Sequence, residues 1–188
     1  MATIGMGDIK KNVRMIVGEV PYKVVEFQHV KPGKGAAFVR MKIKSFLNGK
    51  VVDKTVHAGD KFEVPIIDFK TMQYLYDDGE MYQFMDNETY DQLGLPYEQC
   101  DDAAKWLKDG TNVEMIFFKG NAISVLAPET MELIITDTPP NFKGDTSSGS
   151  KKPATLETGA VVQVPYHVLQ GDLIKVNTVD CEFLGKVK

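Results

Sequence analysis

VPYKVVEFQHVKPGKGAAFVRMKIKSF, residues 20–46, is the stretch around which the rest of the chain is organised. On either side of its centre, Val24–Phe27 and Phe38–Lys44 are rich in β-branched and aromatic residues and alternate apolar with polar side chains. This pattern predicts two strands. The segment between them, His29–Gly35, is then the tip of a hairpin.

The residues of the tip favour a sharp bend that leaves one cation exposed. Pro32 fixes its own φ, and Gly33 and Gly35 tolerate positive φ. The backbone can therefore turn on both sides of Lys34 and direct that side chain outward. Lys31 completes the tip loop on its first side.

The second strand of the hairpin carries a row of cations. Arg40, Lys42 and Lys44 alternate with apolar residues, so they share one face of the strand. Such neighbours lie about 6.5–7 Å apart, close to the spacing of phosphates in an extended nucleic-acid strand. The row therefore predicts contacts with an RNA backbone. The alternative is a solvated strand face and an ordinary turn lysine.

Composition predicts a soluble globular protein. The chain has 188 residues, of which 43% are apolar, enough for one large or two to three small domains. It has no apolar run of membrane-spanning length and no export signal, so we expect a cytoplasmic location. Cys100 and Cys181 are then reduced thiols, and we expect no disulfide, no metal and no other cofactor.

The net charge of −4 hides an asymmetry along the chain. Prolines at positions 65 and 128 interrupt strand-like patterns, and we place boundaries near them, giving residues 1–63, 64–127 and 128–188. The first segment holds 12 Lys and Arg against 6 Asp and Glu, the second 4 against 12, and the third 6 against 8. We expect the basic end to meet a polyanion, while the acidic middle avoids RNA or faces a basic protein.

Turn residues predict further hairpins in the first two segments. Gly18-Glu19 and Asn48-Gly49 separate strand patterns in the first segment, whose five predicted strands are typical of a small barrel. Asp77–Gly79 and Lys119–Asn121 separate such patterns in the second segment, which is also of barrel size.

Two short helices are expected in the middle segment. Asp86–Glu88 is expected to cap a helix that runs through Leu93, and Asp101-Asp102 to cap a second one over Ala103–Lys108. We expect Trp106 on the second helix to be a core residue.

The last segment predicts a third barrel of the OB type, interrupted by the long polar loop Pro139–Pro153. Its strand patterns are Met131–Thr136, Ala160–Val168, Leu173–Val179 and Phe183–Val187. The amides and hydroxyl groups of the loop are candidates for RNA contacts, and a mobile connector is the alternative.

The sequence predicts no catalytic centre. Gly33-Lys34 is not a phosphate-binding loop, because a strand follows where a helix is needed. Lys34 is also a poor Schiff-base nucleophile, because an exposed tip does not lower the pKa of a lysine. We therefore expect a protein that is not an enzyme.

Four motifs, in the same order along the whole chain, resemble those of bacterial elongation factor P. They are KPGKG at residues 31–35 with Phe38, YLYDDGE at 74–80 followed by Phe84-Met85 and Asn87–Thr89, KGDT at 143–146, and KPATLETGA at 152–160 with Val164-Pro165. Single motifs of this length are weak signals, but four in order over three segments are specific.

The resemblance implies an all-β fold of three domains in an L shape like a transfer RNA. An SH3-like barrel over residues 1–63 would be followed by OB-type barrels over 64–127 and 128–188. It further implies a monomeric translation factor that binds the ribosome beside the peptidyl-tRNA and stimulates peptide-bond formation at stalled polyproline sequences.

Site residues follow from the same resemblance. Lys34 would contact the acceptor end of the tRNA and is a candidate for post-translational extension by a lysine-modifying enzyme. The loop residues Gly144, Asp145 and Thr146 would approach the messenger RNA codon in the exit site. Lys34 matches the lysine-bearing branch of the family.

Two departures and three alternatives remain. Many family members have Arg and Gly where this chain has Val179 and Cys181, which puts an RNA contact by that arginine in doubt. Beyond Gly149 the long loop also departs from the commonest family pattern. The alternatives are a paralogous factor with other stalling contexts, a general OB-fold RNA-binding protein, and an enzyme that uses Lys34.

Overall fold

The computed structural model describes residues 2–140 and 151–187, which form sixteen strands and little helix, so the all-β prediction is confirmed. The strands are β1 (Thr3–Gly5), β2 (Arg14–Val17), β3 (Val20–Val30), β4 (Phe38–Ser45), β5 (Val51–His57), β6 (Lys61–Glu63), β7 (Ile67–Asp77), β8 (Met81–Asp86), β9 (Gln92–Pro96), β10 (Asn112–Phe118), β11 (Asn121–Leu126), β12 (Thr130–Asp137), β13 (Lys151–Leu156), β14 (Val161–Pro165), β15 (Leu173–Asn177) and β16 (Glu182–Lys186). Helical structure in these residues is limited to α1 (Tyr97–Cys100) and the 3₁₀ turns Met6–Asp8 and Asp101–Trp106.

The first sheet contains the predicted hairpin and has the antiparallel order β2-β3-β4-β5. Gly18 and Glu19 both have positive φ, 55° and 68°, as a tight hairpin turn requires. The turn at Asn48-Gly49 is longer than two residues, because the N–H of Ser45 donates to the carbonyl of Lys50 at 2.9 Å. β1 and β6 form a separate two-stranded sheet. The buried side chains of this region cluster: Ile9, Met15, Val24, Val39, Met41, Ile43 and Val56.

A second sheet has the order β11-β10-β7-β8-β9. Its two predicted turns are confirmed, since Gly79 has φ 94° and Lys119-Gly120 has φ 50° and 79°. The carboxylate of Asp78 accepts the N–H groups of Glu80 at 2.9 Å and Met81 at 2.8 Å, and these bonds hold the pKa of Asp78 below its usual value. The acidic turn is thus a hydrogen-bonded hairpin connection.

The last segment closes into a barrel with the strand order β12-β13-β14-β16-β15. Its interior holds alternate residues of β12, β13, β14 and β15: Met131, Leu133, Ile135, Ala154, Leu156, Val162, Val164, Ile174 and Val176. Trp106 packs in the same cluster and is 2% exposed, so its prediction as a core residue is confirmed. Lys108, just beyond Trp106, donates to Glu157 of the barrel at 2.9 Å.

Both helix predictions need correction. Asp86 Oδ1 accepts the N–H groups of Glu88 at 2.8 Å and Thr89 at 3.2 Å, as a helix cap would, but Tyr90 takes φ 63° and leaves the helical conformation. A turn and the strand β9 follow instead of a helix through Leu93. The second helical segment lies earlier than expected, as α1 and the 3₁₀ turn that ends at Trp106.

The chain divides into two compact units. One comprises Met1–Lys70, Leu95–Asp101 and Met115–Val125, and the other Thr71–Gly94, Asp102–Glu114 and Leu126–Lys188. The three domains with boundaries at residues 63 and 127 stay a prediction. Within residues 2–140 and 151–187, no helix has both the length and the apolar character that a membrane crossing needs. Over the same ranges, no three His, Cys, Asp or Glu side chains are grouped so as to hold a metal ion.

Candidate nucleic-acid interface

The hairpin β3–β4 is the scaffold of the candidate interface. Its last pair is Val30 opposite Phe38, and His29 pairs with Val39 inside the ladder. The tip loop is therefore residues 31–37, which is shifted by two residues from the expected His29–Gly35. Strand pairing on both sides of the loop fixes where it leaves the sheet.

Lys34 is exposed at the centre of this loop, as are Lys31, Pro32, Gly33 and Gly35. Gly35 has φ 118°, a conformation that residues with a Cβ rarely adopt. In the part of the chain that the structure describes, no group forms an ion pair or hydrogen bond with the Lys34 ammonium. The structure thus has an exposed cation at the predicted position.

The alternation predicted for the second strand is present. Val39, Met41 and Ile43 are buried, while Arg40 and Lys42 are exposed and Lys44 is half-buried. The three cations share the outer face of β4, but their surroundings differ.

Lys42 is paired with a carboxylate. Its Nζ lies 2.8 Å from Glu26 Oε2 on β3, which is its direct partner in the strand register. Asp53 of β5 is its partner on the other side. The hydrogen bond and charge of Glu26 raise the pKa of Lys42, and the same contacts lower the pKa of Glu26. The positive charge of Lys42 is locally compensated.

Arg40 has neutral neighbours. Its register partners are Gln28 on β3 and Thr55 on β5. The guanidinium lies 5.6 Å from the centroid of the Phe38 ring, which in turn contacts His57 at 6.1 Å. Stacking on Phe38 orients the guanidinium and leaves its hydrogen-bond donors directed to solvent.

Lys44 has the most enclosed setting of the three cations. It pairs with Lys23 across the sheet and lines a small cleft together with that residue, Glu98 and Gln99. It makes a contact with another group of the protein.

The carboxylates Glu26 and Asp53 were missed by the sequence reasoning. Both lie within predicted strands, so the sequence alone indicates that they are strand residues. Their pairing with Lys42 depends on the strand register, and on the Glu26 side the bulge between Val24 and Glu26 shifts that register by one residue. Composition and periodicity carry no signal for that shift.

The predicted exit-site residues Gly144, Asp145 and Thr146 lie outside the described residues. The described residues on either side of them are held together. The ammonium of Lys152, which is 2% exposed, donates to the Pro139 carbonyl at 2.8 Å.

Val179 and Cys181 lie between β15 and β16. Val179 is 70% exposed. Cys181 takes φ 57°, and its Sγ lies 3.3 Å from Lys105 Nζ. The departure at residue 181 therefore places a side chain where the backbone favours glycine.

Three family models match the chain in succession. The Elongation factor P (EF-P) KOW-like domain matches residues 5–62, the Elongation factor P (EF-P) OB domain matches residues 67–125, and the Elongation factor P, C-terminal model matches residues 131–186. Together they cover nearly the whole sequence.

Relatives named elongation factor P match over the full length. The chain is 84% identical over 188 residues to elongation factor P of Sulfurimonas denitrificans, covering 100% of both chains. It is 64% identical over 189 residues to elongation factor P of a Sulfurovum species, again covering 100% of both. Among solved structures, eukaryotic translation initiation factor 5A from Methanococcus jannaschii is 30% identical with a TM-score of 0.48, covering 67% of this chain and 94% of that chain.

Proposed function

The chain belongs to the elongation factor P family of translation factors, and from this premise we propose that it acts on ribosomes stalled at consecutive prolines. It binds beside the peptidyl-tRNA and stimulates peptide-bond formation by positioning the acceptor end of that tRNA. The observation that carries the proposal is the exposed Lys34 on a loop closed by paired strands.

The setting of Lys34 suits contact with a polyanion. Its loop projects from a segment with 12 Lys and Arg against 6 Asp and Glu. An ammonium without a protein partner can bind phosphate without first giving up an ion pair. Pro32 restricts the loop before binding, which lowers the entropy lost on contact.

Arg40 is the second proposed RNA contact, followed by Lys42 and Lys44. The guanidinium of Arg40 has the fork geometry that binds phosphate oxygens in pairs, and Phe38 orients it. A phosphate oxygen that approaches Lys42 has to compete with the Glu26 carboxylate for its charge. The three residues therefore contribute unequally.

The proposed mechanism uses no acid, base or nucleophile from this chain. Proline reacts slowly, and a fixed acceptor end places its ester in attack geometry. Orientation alone can supply several kcal/mol toward a barrier, about 7–11 in the best intramolecular cases. The rate gain is then mainly entropic.

Two further parts of the proposal rest on the family resemblance. Lys34 is the site that a lysine-modifying enzyme would extend, which lengthens its reach toward the tRNA. The added mass on a peptide containing Lys34 from native cells reports this modification. Gly144, Asp145 and Thr146 are proposed to meet the messenger RNA codon in the exit site.

Replacing Lys34 with Ala tests the proposed function. In a reconstituted translation system with a message that encodes consecutive prolines, the wild-type protein is expected to restore full-length product. The Lys34→Ala protein should lose most of that rescue, because the cation at the tip is gone while the sheet beneath it is intact.

Lys50→Ala is the matched control, since Lys50 is also exposed but lies beyond the other end of β4. It removes the same charge and should keep nearly full rescue. Normal rescue by Lys34→Ala would contradict the proposed function, as would an equal loss in the two variants.

A further inference from the structure

The outer face of the hairpin sheet is not uniformly basic. Going away from the tip, Arg40 stands between the neutral Gln28 and Thr55, and Lys42 stands between Glu26 and Asp53. Residues that form a uniform row of cations in the sequence therefore differ in the sheet. Arg40 has neutral register partners, whereas Lys42 has a carboxylate on each side.

The compensation of Lys42 involves one more group. Lys11, from the segment before β2, lines the same open groove as Glu26, Lys42 and Asp53, and its charge acts on Glu26. Two cations and two carboxylates therefore occupy this part of the groove. The Lys42–Glu26 pair, 2.8 Å apart, lies well within the roughly 10 Å screening length at 0.1 M salt, so its two charges offset each other.

We propose that Glu26 is a specificity-determining residue that keeps Lys42 from binding loose RNA. The Glu26 carboxylate stays bound to the Lys42 ammonium, at 2.8 Å, until a phosphate that other contacts hold in place competes for it. Asp53, on the opposite side, strengthens the same competition. This inference rests on the proposed function, because it assumes that the partner is RNA.

The physical basis is an exchange of anions. A phosphate that meets Lys42 competes with Glu26 for a charge that is already compensated, so the contact releases little net counterion charge. Loose RNA gains nothing from that exchange. A tRNA already fixed by the ribosome and by the tip presents its backbone at high effective concentration, so the exchange proceeds.

Such competition serves a factor that works among abundant RNA. A fully basic strand would bind any polyanion, with an affinity that rises steeply at low salt. With Glu26 and Asp53 present, the cations of the hairpin that have no ion pair within the described residues lie toward its tip, Lys34 and Arg40 among them. The rest of the outer face of the hairpin sheet binds RNA only when that RNA is already held by other contacts.

The test measures binding of a fluorescein-labelled oligouridylate of about 12 nucleotides by fluorescence anisotropy, as a function of salt. Glu26→Gln should bind roughly three- to tenfold more tightly than wild type near 50 mM salt. The plot of log affinity against log salt should steepen by about 0.7, the value for one added phosphate contact on a single strand. The gain should shrink as salt rises, because the two side chains are 48% and 68% exposed.

Two comparisons make the result specific. Glu63→Gln on β6 changes the net charge by the same amount at an exposed residue outside the groove, and it should give a much smaller gain. Lys42→Ala should weaken binding less in the wild-type background than in the Glu26→Gln background, where it should abolish the gain.

Each other outcome overturns the inference. An unchanged affinity of Glu26→Gln means that the carboxylate does not compete. Equal gains for Glu26→Gln and Glu63→Gln mean that only net charge matters. Equal effects of Lys42→Ala in both backgrounds mean that Glu26 and Lys42 are not coupled. These measurements use free RNA, so they are independent of the polyproline rescue by which the proposed function stands or fails.

Discussion

Cys181 shows how a single residue departs from what its backbone favours. Its φ of 57° lies in the left-handed region, where a side chain costs about 1–2 kcal/mol relative to glycine. The resemblance to the family implies a glycine at this position in many of its members. The thiol contacts Lys105 at 3.3 Å, an interaction available only to a residue with a side chain. The resemblance singles out residue 181 as a departure from the family pattern, and the positive φ of its backbone explains why glycine is favoured there.

The two cysteines are expected to differ in reactivity because only one is shielded. Cys100 is fully buried, and burial, aided by the charge of Glu98, raises the pKa of its thiol to about 12. Cys181 is partly exposed. At pH 9, iodoacetamide should therefore alkylate Cys181 in the folded protein and leave Cys100 unmodified, as read by peptide mass.

The raised pKa of the Cys100 thiol also makes the stability of the folded protein depend on pH. Above about pH 9 the unfolded thiol loses its proton while the folded one keeps it, so stability present below pH 9 declines as pH rises toward 12. Labelling of Cys100 should accordingly follow global unfolding in urea. Alkylation of Cys100 at the rate of Cys181 in the native protein would contradict its burial.

At the scale of elements, hairpins were predictable because their information is local. Gly18-Glu19, Asp78-Gly79 and Lys119-Gly120 turn where the sequence indicates, since each turn contains a glycine that adopts positive φ without strain. The helix predicted after Asp86 does not form, because a local signal is outweighed there by strand pairing. The side chain caps a turn as predicted, but pairing of Gln92–Pro96 in a sheet outweighs the helical tendency.

The strand β13 was not predictable from local pattern. It begins with two lysines and contains Pro153, which normally argues against a strand. In the barrel, Lys152, Ala154 and Leu156 nevertheless point inward. Lys152 is tolerated there because its ammonium reaches the Pro139 carbonyl. Only closure of the barrel supplies that partner.

We expect Lys152 to secure the base of the segment between β12 and β13. Lys152→Met keeps the length of the side chain but removes its charged hydrogen bond, worth roughly 1.5–3 kcal/mol. Amide hydrogen exchange along β13, measured on the full chain, should become faster.

Lys151→Met is the control for that variant, because Lys151 is the exposed neighbour with the same charge. Its exchange rates should match wild type. If the two variants exchange alike, the buried ammonium has no special part in holding these strands together.

For the whole molecule, the distribution of charge was readable from the sequence and its local compensation was not. Net values of +6, −8 and −2 follow from counting residues in the three segments. That Lys42 is matched by Glu26, or that Trp106 joins the core of the last barrel, depends on contacts between residues far apart in the chain. Hydrophobic periodicity predicts which residues are buried, and the sheet topology decides which core each of them joins.

Positioning by Lys34 is tested most directly by the single-turnover rate of proline–proline bond formation on purified ribosomes. The rate is measured at several temperatures without the factor and with saturating wild-type protein or Lys34→Ala. We predict that wild type raises the rate through a less unfavourable activation entropy, and that saturating Lys34→Ala gives no comparable rise. A rate with Lys34→Ala equal to that with wild type, or a gain confined to the activation enthalpy, would contradict the positioning role.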